Sequence, residues 1–403
     1  ATGRPISAYI GFDPSADSLH VGHLIPIFGL LRLQQRGGKP VALVGGGTGM
    51  IGDPSHRSTE RVMLTEAEVL ANVAAIRAQL ERFLDFTPGP SGAEMANNLD
   101  WLGQMSLIAY LREVGVHFTI PYMLAKDSVQ TRLERGLSFT EFSYMTLQAA
   151  DFAHLYRERG VEMQMGGADQ WGNITAGLEL IRRTSTPGSD DSPAHAIAYR
   201  LLLAPSGTKF GKSEAGDSVW LDPARTTPYA FYQYWVNLDD RDVPTYMRWF
   251  TLWPRERIGA LEAAIADRPE AREAQRELAL DVTARVHGEE EARAAVAVSA
   301  ALFQREPVTD PLLLARIHAA TRGPEVDPGV IAGGVAVLLA EAGLAASRGE
   351  ARRLIAGGAV AVNGGRVTDA AAAVPEPIDG RWLEVRVGRR SRAVVRIGPP
   401  PSP

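Results

Sequence analysis

Short β-branched runs alternate with helix-patterned stretches through the first two hundred residues, and this alternation constrains the fold more than any single motif. Ser7 to Phe12 reads as a buried strand, followed by the turn Asp13-Pro14-Ser15 and a helical stretch to Arg36. Pro40 to Val44 (PVALV) is a second strand, running into the glycine-rich GGGTGMIGDP. Thr65 to Phe83 places Val69, Val73, Ile76, Leu80 and Phe83 at helical spacing. Thr140 to Tyr156 is a further helix, and Val161 to Met165 is a strand leading into GGADQWGN and a helix to Arg183. Ile197 to Leu203 is a strand feeding APSGTKFGKSEAGDS. Strands separated by helices cannot pair as hairpins, so the pattern predicts a parallel sheet with helices on both faces. In such sheets the glycine-rich turns at strand ends are where nucleotides bind.

The pattern changes after Asp222. Tyr229 to His287 is almost wholly helical, and residues 304–333 carry Pro307, Pro311, Pro324 and Pro328 with little periodicity, which reads as a linker. Beyond it come two short helices at 335–342 and 347–356, the turn-rich GGAVAVNGGRV, and arginine-rich strands ending near Ile397. The expected domains are therefore 1–222 (α/β), 223–303 (helical), 304–333 (linker) and 334–403 (small, α+β). The last of these holds ten arginines against six acids in a chain whose net charge is −5, so a polyanion partner is expected at that end. No cysteine is present, which excludes disulfides, thiolate catalysis and cysteine-ligated zinc, and a reducing cytoplasm is the expected compartment. No apolar run approaches the ~18 residues of a membrane span.

Two short motifs carry chemistry. In GFDPSADSLHVGH, His20 and His23 lie three residues apart at a helix start, with Gly22 between them. That arrangement can face a phosphate at close range. The second is Lys209-Phe-Gly-Lys212-Ser213. Arginine outnumbers lysine 38 to 4 in this chain, yet two of the four lysines fall here, three residues apart. A site that keeps lysine against such a bias calls for a compact, mobile ammonium. His-x-Gly-His alone also fits nucleotidyltransferases that make small cofactors, and a basic glycine-flanked loop alone fits a solvated surface.

Taken in order, HVGH at 20–23, GGADQWGN in the middle and KFGKS at 209–213 resemble the class I aminoacyl-tRNA synthetases. YIGFDPSADSLHVGH, LVGGGTGMIGDPS, FTEFSYMTLQAADF and MGGADQWGNITAGLELIRR resemble the bacterial tyrosyl members most closely, and the likeness runs along essentially the whole chain. It implies a Rossmann-like catalytic domain, a helical anticodon-arm domain and an S4-like RNA-binding domain. It also implies ATP as a substrate accompanied by Mg2+, no structural metal, L-tyrosine and tRNA(Tyr) as the other substrates, and a homodimer working in the cytoplasm.

The resemblance assigns residues too. Ser15, His20 and His23 would act on the departing phosphates from one side and Lys209 and Lys212 from the other. Arg57 and Arg61 would reach the pyrophosphate where the family has a lysine and an arginine. Tyr9 and Asp151 would bond the phenolic hydroxyl of the substrate, and Asp53, Tyr144, Gln148 and Gln164 its ammonium. Gly11, Asp13, Gly22, Gly167, Asp169, Gln170, Lys212 and Ser213 would meet ATP or the adenylate, and Arg348, Arg352 and Arg353 would track tRNA phosphates. The spacing of Tyr144, Gln148 and Asp151 (i, i+4, i+7) independently puts three polar groups on one helical face. Tryptophanyl members share the catalytic fold but lack the S4-like tail. A non-catalytic RNA-binding paralogue would not be expected to keep His20, His23, Lys209 and Lys212.

Overall fold

The structure, a computed structural model, describes residues 5–53, 64–126, 129–130, 133, 136–185, 193–201, 210, 218–388 and 391–398. The expected phosphate-binding residues Arg57, Arg61, Lys209, Lys212 and Ser213 lie outside them. Backbone contacts divide the chain into two compact units, Ala1–Asp222 with Arg241–Ile258, and Pro223–Asp240 with Gly259–Pro403.

The first unit is built on a five-stranded parallel sheet of β1 (Ser7–Phe12), β2 (Lys39–Val44), β3 (Glu94–Asn97), β4 (Met163–Gly167) and β5 (His195–Tyr199), ordered β3-β2-β1-β4-β5. The strand β3 escaped the sequence reading because EMAN is neither β-branched nor alternating. It is recruited by its register against Val41–Val44. All five strands run parallel, but successive strands are added to one side of β1 and then, from β4, to the other, and a crevice opens beyond the carboxyl ends of strands at such a switch in strand order. Tyr9 pairs with Gln164 across this junction.

The helix Phe139–Arg159 is bounded by its own sequence. Ser138 and Glu141 form a reciprocal capping box, and Gly160, at φ 62°, ends it in the left-handed conformation. Its inner face packs Met145, Phe152 and Leu155 against Val41, Leu43 and Val161 of the sheet region. The helix Leu24–Gln35 follows the histidines and tolerates Pro26 because its first-turn N–H has no intrahelical acceptor.

Residues 241–258, expected in the helical domain, belong to this unit. The Arg32 guanidinium donates to the carbonyls of Arg248, Trp249 and Thr251 at 2.8, 2.9 and 2.9 Å, closing the end of the helix Val243–Phe250. Phe28 and Phe210 both meet Phe250, the latter stacked at 5.3 Å between centroids.

In the second unit the helices Pro228–Val236, Glu273–His287, Glu289–Phe303 and Pro311–Thr321 come together. A mixed sheet accompanies them, ordered β6-β10-β9-β7-β8, from Glu325–Val326, Ser391–Ile397, Trp382–Val387, Val360–Val362 and Gly365–Val367. The linker expected at 304–333 is structured. Pro311 opens a helix capped by the Asp310 carboxylate, Glu325–Val326 pairs with β10, and Pro328 opens a 3-10 helix. Two of the prolines that look like chain breakers here, Pro311 and Pro328, occupy first helical turns, where the missing N–H costs nothing. Trp382 and Val394 of the sheet pack with Val298, Ala301, Leu314 and Ile317 of the helices. Residues on both sides of 334 therefore share one buried cluster. Among the described residues no helix is long and apolar enough to cross a membrane.

Candidate active site

At the carboxyl end of β1 the chain turns at Asp13 and reaches the two histidines through a braced loop. Asn72 Nδ2 donates to the Pro14 carbonyl, and Gln79 takes the Leu19 N–H while donating to Ser18. The Ser18 hydroxyl in turn accepts from the Asp222 N–H. Val21 N–H donates to Val219, and Leu221 N–H donates to Leu19, so the segment returning at 218–222 runs alongside His20. Phe210, the described residue before it, is buried against Tyr246 and Phe250.

The histidine geometry settles their tautomers. His20 Nδ1 accepts the Gly22 N–H at 3.1 Å, and His23 Nδ1 accepts the His20 N–H at 3.1 Å. A neutral imidazole whose Nδ1 accepts must carry its proton on Nε2. Both rings are therefore held as Nε2–H donors, 4.0 Å apart between centroids. Gly22 is required because a Cβ there would press on the His20 ring. At Gly11 a Cβ would meet nothing within 4 Å, so the strand end is open for close approach to its backbone.

A polar network fills the crevice floor. Tyr144 Oη donates to Asp13 Oδ2 at 2.8 Å, and Thr48 Oγ1 donates to Asp13 Oδ1 at 2.9 Å. Asn98 Nδ2 reaches Thr48 Oγ1 at 3.0 Å and Asp151 Oδ2 at 2.8 Å, while Trp101 Nε1 donates to Asp151 Oδ1 at 2.8 Å. On the other wall Gln170 Nε2 donates to Asp53 Oδ2 at 2.8 Å, and Asn173 Nδ2 bridges Gln148 and Gln170 at 3.0 and 3.2 Å. Gln170 also donates to Asp169 at 3.3 Å.

Of the expected tyrosine-side residues, Tyr144 and Asp151 lie on the first of these networks and Asp53 and Gln148 on the second, while Tyr9 and Gln164 are register partners on β1 and β4. Thr48, Asn98, Trp101 and Asn173 join them, and sequence reading missed all four. Thr48, Asn98 and Trp101 were signalled only by GGGTGM after β2 and ANNLDW at the end of β3, with partners about fifty residues away along the chain, whereas Asn173 closes the GGADQWGN motif itself.

Burial shapes the charges. Asp151 is 1% exposed, and desolvation pushes its carboxyl up to about 7 even though Asn98 and Trp101 both donate to it. Burial, reinforced by the Asp151 charge, raises the Tyr9 phenol well above its ordinary value. Tyr144 is raised in the same way by burial and then by Asp13 and Asp53, so both hydroxyls keep their protons. Two side-chain atoms in this crevice are buried without a hydrogen-bond partner among the described residues, Tyr9 Oη and Gln164 Oε1. Leaving such atoms unpaired costs about 1–3 kcal/mol each.

In the second unit, Ser347 caps the helix Arg348–Ala356, whose arginines Arg348, Arg352 and Arg353 are all exposed. Arg348 reaches Glu341 at 3.1 Å. No ion pair involves Arg352 or Arg353 among the described residues. Among those residues, too, no group of acids and histidines is placed to hold a metal ion.

Comparison with known proteins agrees along the whole chain. The family model for class I tRNA synthetases (W and Y) matches residues 1–304, and the S4 domain model matches residues 334–376. The chain is 50% identical over 402 residues to the tyrosine–tRNA ligase of Anaeromyxobacter dehalogenans, covering 98% of this chain and 93% of that protein. To the tyrosine–tRNA ligase of Geobacillus stearothermophilus it is 46% identical over 396 residues, covering 97% and 92%. Its fold is similar to a C-terminally truncated mitochondrial tyrosyl-tRNA synthetase from Coccidioides posadasii. That match has a TM-score of 0.63 and 33% identity, and it covers 72% of this chain and 82% of the other.

Proposed function

The chain belongs to the class I tRNA synthetases of the tryptophan and tyrosine group, and from that premise we propose that it activates L-tyrosine with ATP and transfers it to tRNA(Tyr). The observation that carries this choice of amino acid is the pair of orphaned buried atoms. Tyr9 Oη, beside the Asp151 carboxylate, is where a phenolic hydroxyl would find both a donor and an acceptor. Gln164 Oε1, an acceptor on the neighbouring strand, suits an ammonium, with Tyr144, Asp53 and Gln148 completing that end. An indole would pair its single N–H and leave one of the two phenol-reading groups unmatched.

In the first step the substrate carboxylate oxygen attacks the α-phosphorus of ATP and the bond to the bridging oxygen breaks, releasing pyrophosphate with its Mg2+. No side chain needs to move a proton, so catalysis is positioning and charge stabilisation. His20 and His23 present Nε2–H donors that need no reorganisation, since their Nδ1 atoms are already engaged. Ser15 is exposed on the turn beside them. Lys209, Lys212, Ser213, Arg57 and Arg61 approach from the other side in this reading. The 218–222 segment running beside His20 supports it, because it returns the chain from the lysines to the histidines. Gly11, Asp13, Gly22, Gly167, Asp169 and Gln170 take the nucleotide and adenylate. In the second step a terminal ribose hydroxyl of the tRNA attacks the acyl carbon and AMP leaves.

Arg348, Arg352 and Arg353 contribute backbone contacts to the tRNA. We assign a homodimer to the apolar surface at Leu107, Ile108, Leu111, Val116, Ile120 and Phe139, all exposed in the single chain. The place of work is the cytoplasm, with the other components of translation.

The test is pyrophosphate exchange across the twenty amino acids, followed by charging of tRNA(Tyr). Exchange with tyrosine well above all others is expected. Exchange led by tryptophan, or none with intact protein, overturns the reading.

A further inference from the structure

The helix Phe139–Arg159 grips one indole with two side chains three residues apart. Asp151 Oδ1 takes the Trp101 Nε1–H at 2.8 Å, and the His154 ring stacks flat on the same indole, 4.3 Å between centroids and 16° between planes. The Arg159 guanidinium lies 5.9 Å from that ring's centroid. Trp101 sits on a four-residue helix, Leu99–Leu102, too short to fix a ring by itself; its first N–H is taken by Asn97 Oδ1 at 3.0 Å, and the ring lies in the core at 9% exposure. The support matters for Asp151. Asn98 holds Oδ2 and Trp101 holds Oδ1, so the carboxylate plane is fixed only while the indole is fixed. Desolvation lowers the His154 pKa, helped by Arg159 and Arg157 against Glu158, so a neutral ring does the stacking.

We infer that His154 is a positioning residue for amino-acid selection, holding Trp101 and through it the Asp151 carboxylate at the angle that receives the substrate phenol. The inference rests on the activity proposed above. His154 touches no substrate. Trp101 is packed in the core, so the stacked His154 ring sets the tilt of the indole plane there, and a change of tilt carries Oδ1 with it through the Nε1 bond. Phenylalanine makes no bond to Asp151, so its use is insensitive to that tilt.

Pyrophosphate exchange with tyrosine and with phenylalanine tests this on intact protein, comparing wild type with His154→Ala, His154→Leu and His154→Phe. A stacked aromatic pair is worth enough to predict a rise of about two- to tenfold in the KM for tyrosine for the Ala and Leu variants. An equal fall in tyrosine-over-phenylalanine preference should accompany it, with the KM for ATP unchanged. His154→Phe keeps a flat stacking partner and should restore both values, whereas Leu fills the volume without the plane. Unaltered preference in the Ala and Leu variants, or a Phe variant indistinguishable from Leu, overturns the inference while leaving the activity standing. Absence of tyrosine-dependent exchange in the wild type overturns the activity and the inference together.

Discussion

Removing the Tyr9 hydroxyl should improve the protein's stability and impair its selectivity in the same experiment. Tyr9 is 1% exposed, its ring meets Phe152 at 5.4 Å, and its Oη has no hydrogen-bond partner among the described residues. Tyr9→Phe keeps the ring and deletes only the orphaned group. A buried, unsatisfied hydroxyl costs about 1–3 kcal/mol, so the ligand-free variant should gain a comparable amount. For a domain of this size that raises Tm by about 2–4 °C per kcal/mol. The substrate phenol loses one neutral hydrogen bond worth about 0.5–1.5 kcal/mol, a fall of about 2- to 12-fold in kcat/KM for tyrosine. Phenylalanine should be used as well as before or better, because it no longer buries that hydroxyl unpaired. Calorimetry of the ligand-free protein and pyrophosphate exchange with both amino acids read the two halves. A variant that melts lower than wild type and keeps its full preference for tyrosine would refute the reasoning, because Tyr9 would then be a satisfied core residue.

Asp151→Asn should flatten the pH dependence of stability. The carboxyl is held at about 7 in the folded protein, against about 4 when unfolded, so folding retains a proton that the unfolded chain gives up. Stability from this group is complete below about pH 4 and is lost as pH rises to about 7, on the order of a few kcal/mol. Urea melts of the two proteins should converge in the variant's favour across that window, and parallel curves would argue against it. Reversing Arg352 and Arg353 to Glu should leave tyrosine-dependent exchange intact and weaken tRNA charging, with a shallower salt dependence by about one unit of slope per lost contact. Equal charging at every salt concentration would remove this helix from the RNA surface. Truncation at 334 should lower the Tm of the helical region or make it insoluble, since Trp382 and Val394 cover Val298, Ala301, Leu314 and Ile317. A truncated chain with unchanged helical melting would contradict that packing.

Local signals were enough for much of the fold. Four of the five parallel strands, the body of the helix Phe139–Arg159, and the two helices of the C-terminal segment follow from patterns that short-range sterics and hydrogen bonding enforce. Boundaries set by tertiary contact were not legible. Nothing local in residues 241–258 records that Arg32 will cap the end of their helix. The prolines of 304–333 look alike in sequence whether they break a chain or start a helix. Pro311 starts one because Asp310 is there to cap it and the apolar residues that follow have a core to enter.

The candidate site divides in the same way. Its motif residues could be named from the sequence because phosphate chemistry asks for particular side chains at close spacing: two histidines around a glycine, two lysines in a loop, a polar stripe on one helix. The engagement of the histidines is local, while that of the polar stripe was decided by the tertiary structure. The proton on each histidine follows from backbone N–H groups that occupy both Nδ1 atoms. The unusual carboxyl of Asp151 follows from burial between Asn98 and Trp101, which arrive from beyond β3. Hydrogen-bond pairing and desolvation of that stripe depend on distances between residues far apart in the chain, so sequence alone could nominate its groups and only the folded structure could set their protonation and reach.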